Sequence, residues 1–533
     1  MNRRRLSGGS FVKQAAILAG ASIFVRLLGF FYRIPLTRYI GDTLNAYYGA
    51  AYFVYTLALT LSSVFMITAV SRLTSERVAL GQYRNAQRLF GTAMLLSVVL
   101  GSAVSLIMFF GADFIERIYN FESGTLVSAI RVLAPAVFLV SMLTVLRGYF
   151  QGMKTAAPTA VSQVIEQIFN VIASLFLAFL LFGGENFSAA AAGAAAGTSV
   201  GAFFALLVML FVYMLVAKAL KRRSAEDSTE YIEPRRKQAA AILKMAFPLI
   251  IGAAIFTIAS MMDVSMANNR LAASGAFSGE EITALVGQFT GKFVLLTTLP
   301  VSLSMALSSA IIPEITSSHV TLDKEAVRQK TNLALRISMF LAIPSAVGLG
   351  VLADPIILLL FSRHPEGGAL LRYGAASIVF LSIVHVITGV LQGLGHVKIP
   401  IIGVFFGVMV KIPINYYLMA IPEINVLGGV ISTVVCFIVA AIINLFFLKH
   451  FTDIFPAIVG TFVKPTIAAA GMGIVCYTAY NLIMLVGSNA AATLGAISLG
   501  FVAYLVFMLL MKGFGRREIE LLPIPRGVKR WLV

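Results

Sequence analysis

Fourteen apolar runs follow one another along the chain, each close to the roughly twenty residues that an α-helix needs to cross a bilayer. They fall near residues 12–34, 47–72, 88–111, 127–150, 157–182, 188–217, 238–266, 283–310, 331–353, 370–393, 398–420, 425–448, 457–484 and 489–512. A chain built this way is expected to be all-α and polytopic, because in hydrocarbon a spanning helix satisfies its own backbone amides and carbonyls. Composition points the same way. Of 533 residues 59% are hydrophobic and 12% charged, about half the charged share of a soluble domain.

The net charge of +18 sits in short loops between apolar runs, a pattern of membrane topology and not of a nucleic-acid footprint. With both termini in the cytoplasm, 31 of the 41 Lys and Arg fall on the cytoplasmic side, among them Arg72, Arg77, Arg84 and Arg147. Seven fall outside, including Arg33, and Arg26, Lys292 and Lys411 lie within spans. A span missed mid-chain would swap the side of every later loop, so the bias supports an even count. Met1-Asn-Arg-Arg-Arg5 is read as the start of a retained first helix, not as a cleaved leader.

The longest internal polar segment, Lys218 to Lys237, reads as a solvated cytoplasmic linker separating six spans from eight. Two weak echoes cross it. Gln151-Gly152 precedes Pro158 and a new span, as Gln392-Gly393 precedes Pro400. Gly193 with Thr198 recurs at the same spacing as Gly428 with Thr433. Six spans per half keep the halves in the same orientation, which predicts a parallel pseudo-two-fold repeat with a central cavity. The expected organisation is an N-terminal lobe at 1–217, the linker at 218–237, a C-terminal lobe at 238–453, two added helices at 454–512 and a cytoplasmic tail at 513–533.

Ionisable groups at membrane depth face a cavity or a partner. Arg26, Glu166, Asp263, Lys292 and Lys411 are such groups, and Arg33 lies near the outer end of the first span. Arg26 and Arg33 are seven residues apart and share a helical face. That stripe either binds an anion such as a phosphate, which guanidinium matches bidentately, or is absorbed internally, with Arg26 paired to Glu166 or Asp263 and Arg33 snorkelling. Lys292 and Lys411 divide in the same way between a substrate role and an internal partner. Glu166 and Asp263 serve either as charge partners or as sites for a proton or coupling cation. His385, also deep, is expected to be hydrogen-bonded to a neighbour.

Cys436 and Cys476 lie inside apolar runs and read as small hydrophobes, with no metal site. Gly287-Gln-Phe-Thr-Gly291-Lys292 lacks both the spacing and the hydroxyl of a phosphate loop. No extramembrane segment is long enough for a nucleotide-binding domain, so no cofactor is expected. The energy source is then an ion gradient, the membrane potential, a partner or the substrate's own gradient.

Several stretches resemble a known family. They are Arg26-Leu-Leu-Gly29-Phe through Arg38-Tyr-Ile-Gly41, Tyr48-Gly49-Ala-Ala-Tyr52, and Arg147-Gly148-Tyr-Phe-Gln151-Gly152-Met-Lys154. Pro158 through Gln167 and Leu391-Gln392-Gly393-Leu-Gly395 with Lys398-Ile-Pro400 complete the set. They are similar to the polysaccharide-biosynthesis and stage V sporulation protein B group of the multidrug/oligosaccharidyl-lipid/polysaccharide exporter superfamily, together with MurJ-type lipid II flippases. The resemblance implies a bacterial plasma-membrane transporter, not an enzyme, working by alternating access. Its cargo would be an undecaprenyl-pyrophosphate-linked saccharide such as lipid II, serving the cell wall or sporulation, with cell-wall synthesis proteins as partners.

The resemblance also assigns substrate-binding roles. Arg26 matches a first-helix arginine by its Arg-x-x-Gly-Phe context, and Arg33 stands one residue from the second. Arg72 matches an arginine at the cytoplasmic end of the second helix, and Lys292 meets a cation of the eighth. Three rival functions remain at this stage. An ion-coupled exporter of cationic drugs would need open acids in its cavity. A membrane-embedded glycosyltransferase or ligase would need catalytic groups such as Asp354, His364 and Glu366. A non-transporting scaffold would tolerate neutral substitution of its deep charges.

Overall fold

The computed structural model describes residues 3–121, 124–182, 187–227, 229–452 and 457–513, with side chains from Ile17 onward except Ala19, Phe182 and Phe187. The predicted tail beyond Gly513 lies outside the described residues. The described chain is all-helical and separates into two compact units, one up to Gly287 and one from Gln288. This division by packing falls inside the eighth predicted span, beyond the polar linker.

The first unit contains α1 (Arg3–Ser62), α2 (Met66–Ala79), α3 (Tyr83–Phe110), α4 (Ala112–Tyr119) and α5 (Thr125–Gly152). It continues through α6 (Ala157–Phe182), α7 (Phe187–Ala225), α8 (Arg235–Ser274) and α9 (Gly279–Gln288), whose last residue opens the second unit. The second unit follows with α10 (Val294–Val320), α11 (Lys324–Val351), α12 (Ala353–Leu360), α13 (Gly368–Gly374) and α14 (Ala376–Gly393). It ends with α15 (Ile399–Leu418), α16 (Leu427–Thr452), α17 (Lys464–Met484) and α18 (Asn489–Leu510).

Among the described residues 13 helical stretches are long and apolar enough to cross a membrane, against fourteen expected. The difference lies in Gly20–Ala79, which holds the first two predicted spans. A straight helix of 60 residues would run about 90 Å, three times the hydrocarbon thickness. Gly41 breaks it, with φ 73° and ψ 179°, a region essentially reserved for glycine. The chain turns back there. The Tyr32 and Tyr48 hydroxyls, sixteen positions apart, come within 3.2 Å, where a straight helix would hold them about 24 Å apart. The first two spans are therefore the two arms of a helical hairpin with Gly41 at its corner.

The outer faces are apolar and uncovered. An 18-residue stretch within Ala157–Leu181 has a mean hydropathy of 2.1, and only 17% of that stretch is buried. Water would not tolerate that much exposed apolar surface, whereas lipid does.

The predicted repeat has a packing basis within each unit. Gly148 and Gly152 face α2, where added Cβ atoms would lie 2.9 Å from the Ile67 carbonyl oxygen and 2.6 Å from Thr74 Cβ. Gly389 and Gly393 face α10 in the same way, 2.5 Å from the Ser308 carbonyl oxygen and 2.8 Å from Ile315 Cβ. Both pairs belong to a Gly-x-x-Gln-Gly sequence ending a helix. Within each half, then, a helix pair closes through glycines at corresponding positions.

Most described residues of the segment 218–237 are exposed, but part of it is docked on the helices. Helix takes up its two ends, leaving 226–234 between α7 and α8, and part of this connection is docked on α2 and α3. Arg77 pairs with Glu233, its Nε 3.1 Å from Oε2. The Glu233 amide donates to Asn85 Oδ1 at 2.9 Å, and Asn85 Nδ2 donates to the Tyr231 carbonyl at 2.9 Å. The Arg84 amide donates to Asp227 Oδ2 at 2.7 Å. Gln238, fully buried, accepts from Thr92 at 3.1 Å and donates to the Asn85 carbonyl at 3.2 Å. Nearly buried polar groups hold one another here, as buried polar groups must.

Candidate functional site

The first unit places three of the seven predicted charges, Arg26, Arg33 and Glu166, on the first arm of α1 and the neighbouring α6. Ser22, Arg26, Gly29 and Arg33 follow one another at intervals of four, three and four, which places them on one helical face. That face lies along α6. The Ser22 hydroxyl donates to Gln163 Oε1 at 3.5 Å, and a Cβ on Gly29 would lie 3.3 Å from Gln167 Nε2. Arg26 sits between these two contacts with its side chain exposed.

Glu166, one position from Gln167, is committed elsewhere. Its Oε2 accepts from the Arg147 guanidinium at 2.7 Å, and Arg147 Nε donates to the Ser162 hydroxyl at 2.9 Å. Arg147 is only 7% exposed. The sequence counts it on the cytoplasmic side; the structure buries it in the α5–α6 packing. The positive-inside pattern reports a side of the membrane, not a depth, and a guanidinium near a span end reaches inward when a carboxylate receives it.

Arg33 is held by aromatic faces. Its guanidinium carbon lies 4.5 Å from the centre of the Tyr48 ring and 6.0 Å from that of Tyr52, both on the second arm of the hairpin. The two rings stack at 5.6 Å. Among the described residues no carboxylate pairs with Arg33. Cation–π support orients a guanidinium while leaving it free to donate to an anion. Tyr48 and Tyr52 were absent from the predicted site although their four-residue spacing, one helical face, was visible.

The remaining predicted residues lie elsewhere. Arg72 is exposed on α2 and pairs with Glu76 at 3.2 Å, one turn along. Asp263 is buried in α8. In the second unit Lys292 lies in a π-helical turn, Phe289–Phe293, and is wholly buried. Its Nζ donates to the carbonyls of His364 at 2.7 Å and Glu366 at 2.9 Å. This is the geometry of an internal tether for the 361–368 segment, and it leaves no face of Lys292 toward a cargo. Lys411, 6% exposed, donates to the Thr433 hydroxyl at 3.0 Å across α15 and α16. Cys436 and Cys476 are buried thiols, as small apolar side chains would be.

Known proteins place this architecture. The family profile described as polysaccharide biosynthesis protein matches residues 11–319, and a second, MatE, matches 248–417. The chain belongs to the polysaccharide biosynthesis protein family. Lipid II flippase MurJ of Bacillus subtilis (strain 168) is 26% identical over 462 residues, covering 84% of this chain and 83% of that one. Stage V sporulation protein B of the same organism is 25% identical, covering 82% and 83%. Among solved structures, lipid II flippase MurJ in an inward closed conformation superposes with a TM-score of 0.66 at 17% identity, covering 93% of this chain and 98% of that one. An inward-facing multidrug resistance MATE family transporter of the MOP superfamily gives the same TM-score and identity, covering 81% and 98%. The exporter-superfamily fold expected from the sequence is therefore the fold found. The chain is a multi-pass plasma-membrane protein, and the relatives whose names state an activity are flippases and transporters, not enzymes.

Proposed function

We propose that this family member is a flippase that carries an undecaprenyl-pyrophosphate-linked saccharide, lipid II or a related cell-wall glycolipid, from the inner to the outer leaflet by alternating access. The observation that carries the reading is Arg33, seated on the Tyr48 ring at 4.5 Å with no carboxylate partner among the described residues. Glu166, the deep acid on the neighbouring α6, answers Arg147. An arginine held near the end of a span without an acid leaves its charge uncompensated, and a pyrophosphate that accepts its hydrogen bonds supplies the counter-charge. A polar sugar-pyrophosphate cannot cross hydrocarbon unaided, and a cationic polar path lowers its barrier while the lipid tail stays in the bilayer.

Arg26 and Arg33 are the proposed anion-binding pair, with Tyr48 and Tyr52 as their platform. Arg72 is proposed as a contact at the cytoplasmic entrance. Lys292 and Lys411 are left out of the pair because each is buried against an internal acceptor. An exporter of cationic drugs would need an acid open to its cargo, which the Arg147–Glu166 pair disfavours. Coupling to the membrane potential or to a monovalent cation is part of the proposal, with Asp263 the candidate for cation coupling.

The direct test is binding of undecaprenyl pyrophosphate to the purified protein in nanodiscs. Saturable binding that weakens about tenfold or more in Arg33→Ala, with the fold intact, supports the reading. Equal binding by wild type and Arg33→Ala would remove its basis.

A further inference from the structure

The first unit also holds a recess lined in part by Thr43 and Tyr47 of the second arm of α1, next along the chain to the Tyr48 platform. It has a volume of about 670 Å³, within the range of small-molecule sites. α8 starts at Arg235 beside the docked linker and ends at Ser274 beside this cavity, so the two lie at opposite ends of a helix about 60 Å long. If the basic linker is cytoplasmic, the cavity opens on the outer side.

The lining divides into a buried floor and an open rim. Tyr47, Phe121 and Asn268 form part of the floor, at 8%, 6% and 2% exposure, and the Tyr47 and Phe121 rings meet at 4.7 Å. Asn268 is fixed by donating to the Tyr119 carbonyl at 2.7 Å. Thr43, Asn120 and Glu280 stand on the rim. Among the described residues the lining contains no lysine or arginine and a single carboxylate. A phosphate therefore has no counter-charge here, and a divalent cation lacks its usual set of oxygen donors. Tyr47 lines the cavity, and among the described residues its hydroxyl has no hydrogen-bond partner, so it can donate to or accept from a ligand or water there.

We propose that this cavity binds a pyranose sugar. A sugar ring offers hydroxyls that both donate and accept, matching side-chain amides and hydroxyls, and an apolar C–H face that lies against aromatic rings. Its biological sense rests on the saccharide cargo proposed above, as the site that receives the sugar end at the outer surface. Its chemistry rests on the lining alone.

The test measures chitobiose binding to the full-length protein in nanodiscs by calorimetry and saturation-transfer NMR. Wild type is expected to bind saturably. Tyr47→Phe, which keeps the ring and removes the unpartnered hydroxyl, is expected to bind about three- to tenfold more weakly, and Asn120→Ala on the open rim to weaken binding without affecting the fold. Binding is expected to persist in Arg33→Ala. No saturable binding by folded wild type overturns the site, as does wild-type affinity in both Tyr47→Phe and Asn120→Ala. Chitobiose binding that depends on Tyr47, with no binding of undecaprenyl pyrophosphate, keeps this site and removes the flippase reading; the reverse pair of results removes only this site.

Discussion

Arg33 and Tyr48 stand on opposite arms of a helical hairpin, and the guanidinium of one lies 4.5 Å from the ring centre of the other. The contact exists because Gly41, between them, adopts φ 73° and ψ 179°. Backbone geometry at one residue thereby positions a charge at another.

Gly41→Ala is expected to destabilise the hairpin by about 1–3 kcal/mol, the range for forcing a side chain into such a conformation. Thermal unfolding in detergent should show the loss, and a photo-crosslinker at residue 33 should no longer capture Tyr48. Unchanged melting with crosslinking retained would mean that the corner tolerates a Cβ.

The Arg147–Glu166 pair makes a different prediction. Removing one member of a buried pair costs about 3–5 kcal/mol, and the Glu166 side chain, 26% exposed, reduces that to about 2–3 kcal/mol. Arg147→Met should therefore melt lower, and the double change with Glu166→Leu should recover much of the loss. A double-mutant cycle showing no coupling would contradict the pairing.

The glycine contacts on α2 and α10 are tested in parallel. Gly148→Val and Gly389→Val each insert bulk where backbone closes on backbone, which is expected to cost about 1–3 kcal/mol or more. Similar losses at both positions would support equivalent packing in the two halves, whereas a loss at only one would argue against it.

Docking of the 226–234 connection has a pH signature. Burial pushes the Asp227 carboxyl up, but hydrogen bonds from Thr229 and the Arg84 amide outweigh it and hold the group below its ordinary value. A depressed carboxylate stabilises the folded state above its unfolded value of about 3.9, and the contribution is lost as pH falls through the folded value. Amide protection at Arg84 and Thr229, corrected for intrinsic exchange, should hold from about pH 5 to 7 and fall below about pH 4. In Asp227→Asn it should be low throughout. Constant protection down to pH 3 in wild type would contradict the docking.

The membrane fold was legible because a bilayer imposes a fixed length on apolar runs, and the two-armed nature of the first stretch follows from the same length. Gly41 was quoted in the motif, but its role needed a backbone angle that sequence does not carry. The repeat was visible through Gln151-Gly152 and Gln392-Gly393, while the partners of Gly148 and Gly389 emerged only from packing. Lys292 illustrates the limit at the site. Sequence located a buried cation but could not show that two carbonyls of a segment more than seventy residues away would receive it. Charge and hydropathy are read along the chain, whereas pairing is settled across it. The docking of part of the linker was hidden for the same reason, since its contacts with Arg77 and Asn85 cross the chain.

The decisive measurement is translocation of lipid II in reconstituted vesicles under an imposed membrane potential, comparing wild type with folded Arg33→Ala and Arg26→Ala proteins. Movement by wild type, reduced about tenfold or more in Arg33→Ala and weakened in Arg26→Ala, is the expected result. Equal movement by all three would contradict an arginine-centred path, and no movement of any undecaprenyl-linked glycolipid by wild type would contradict the flippase itself.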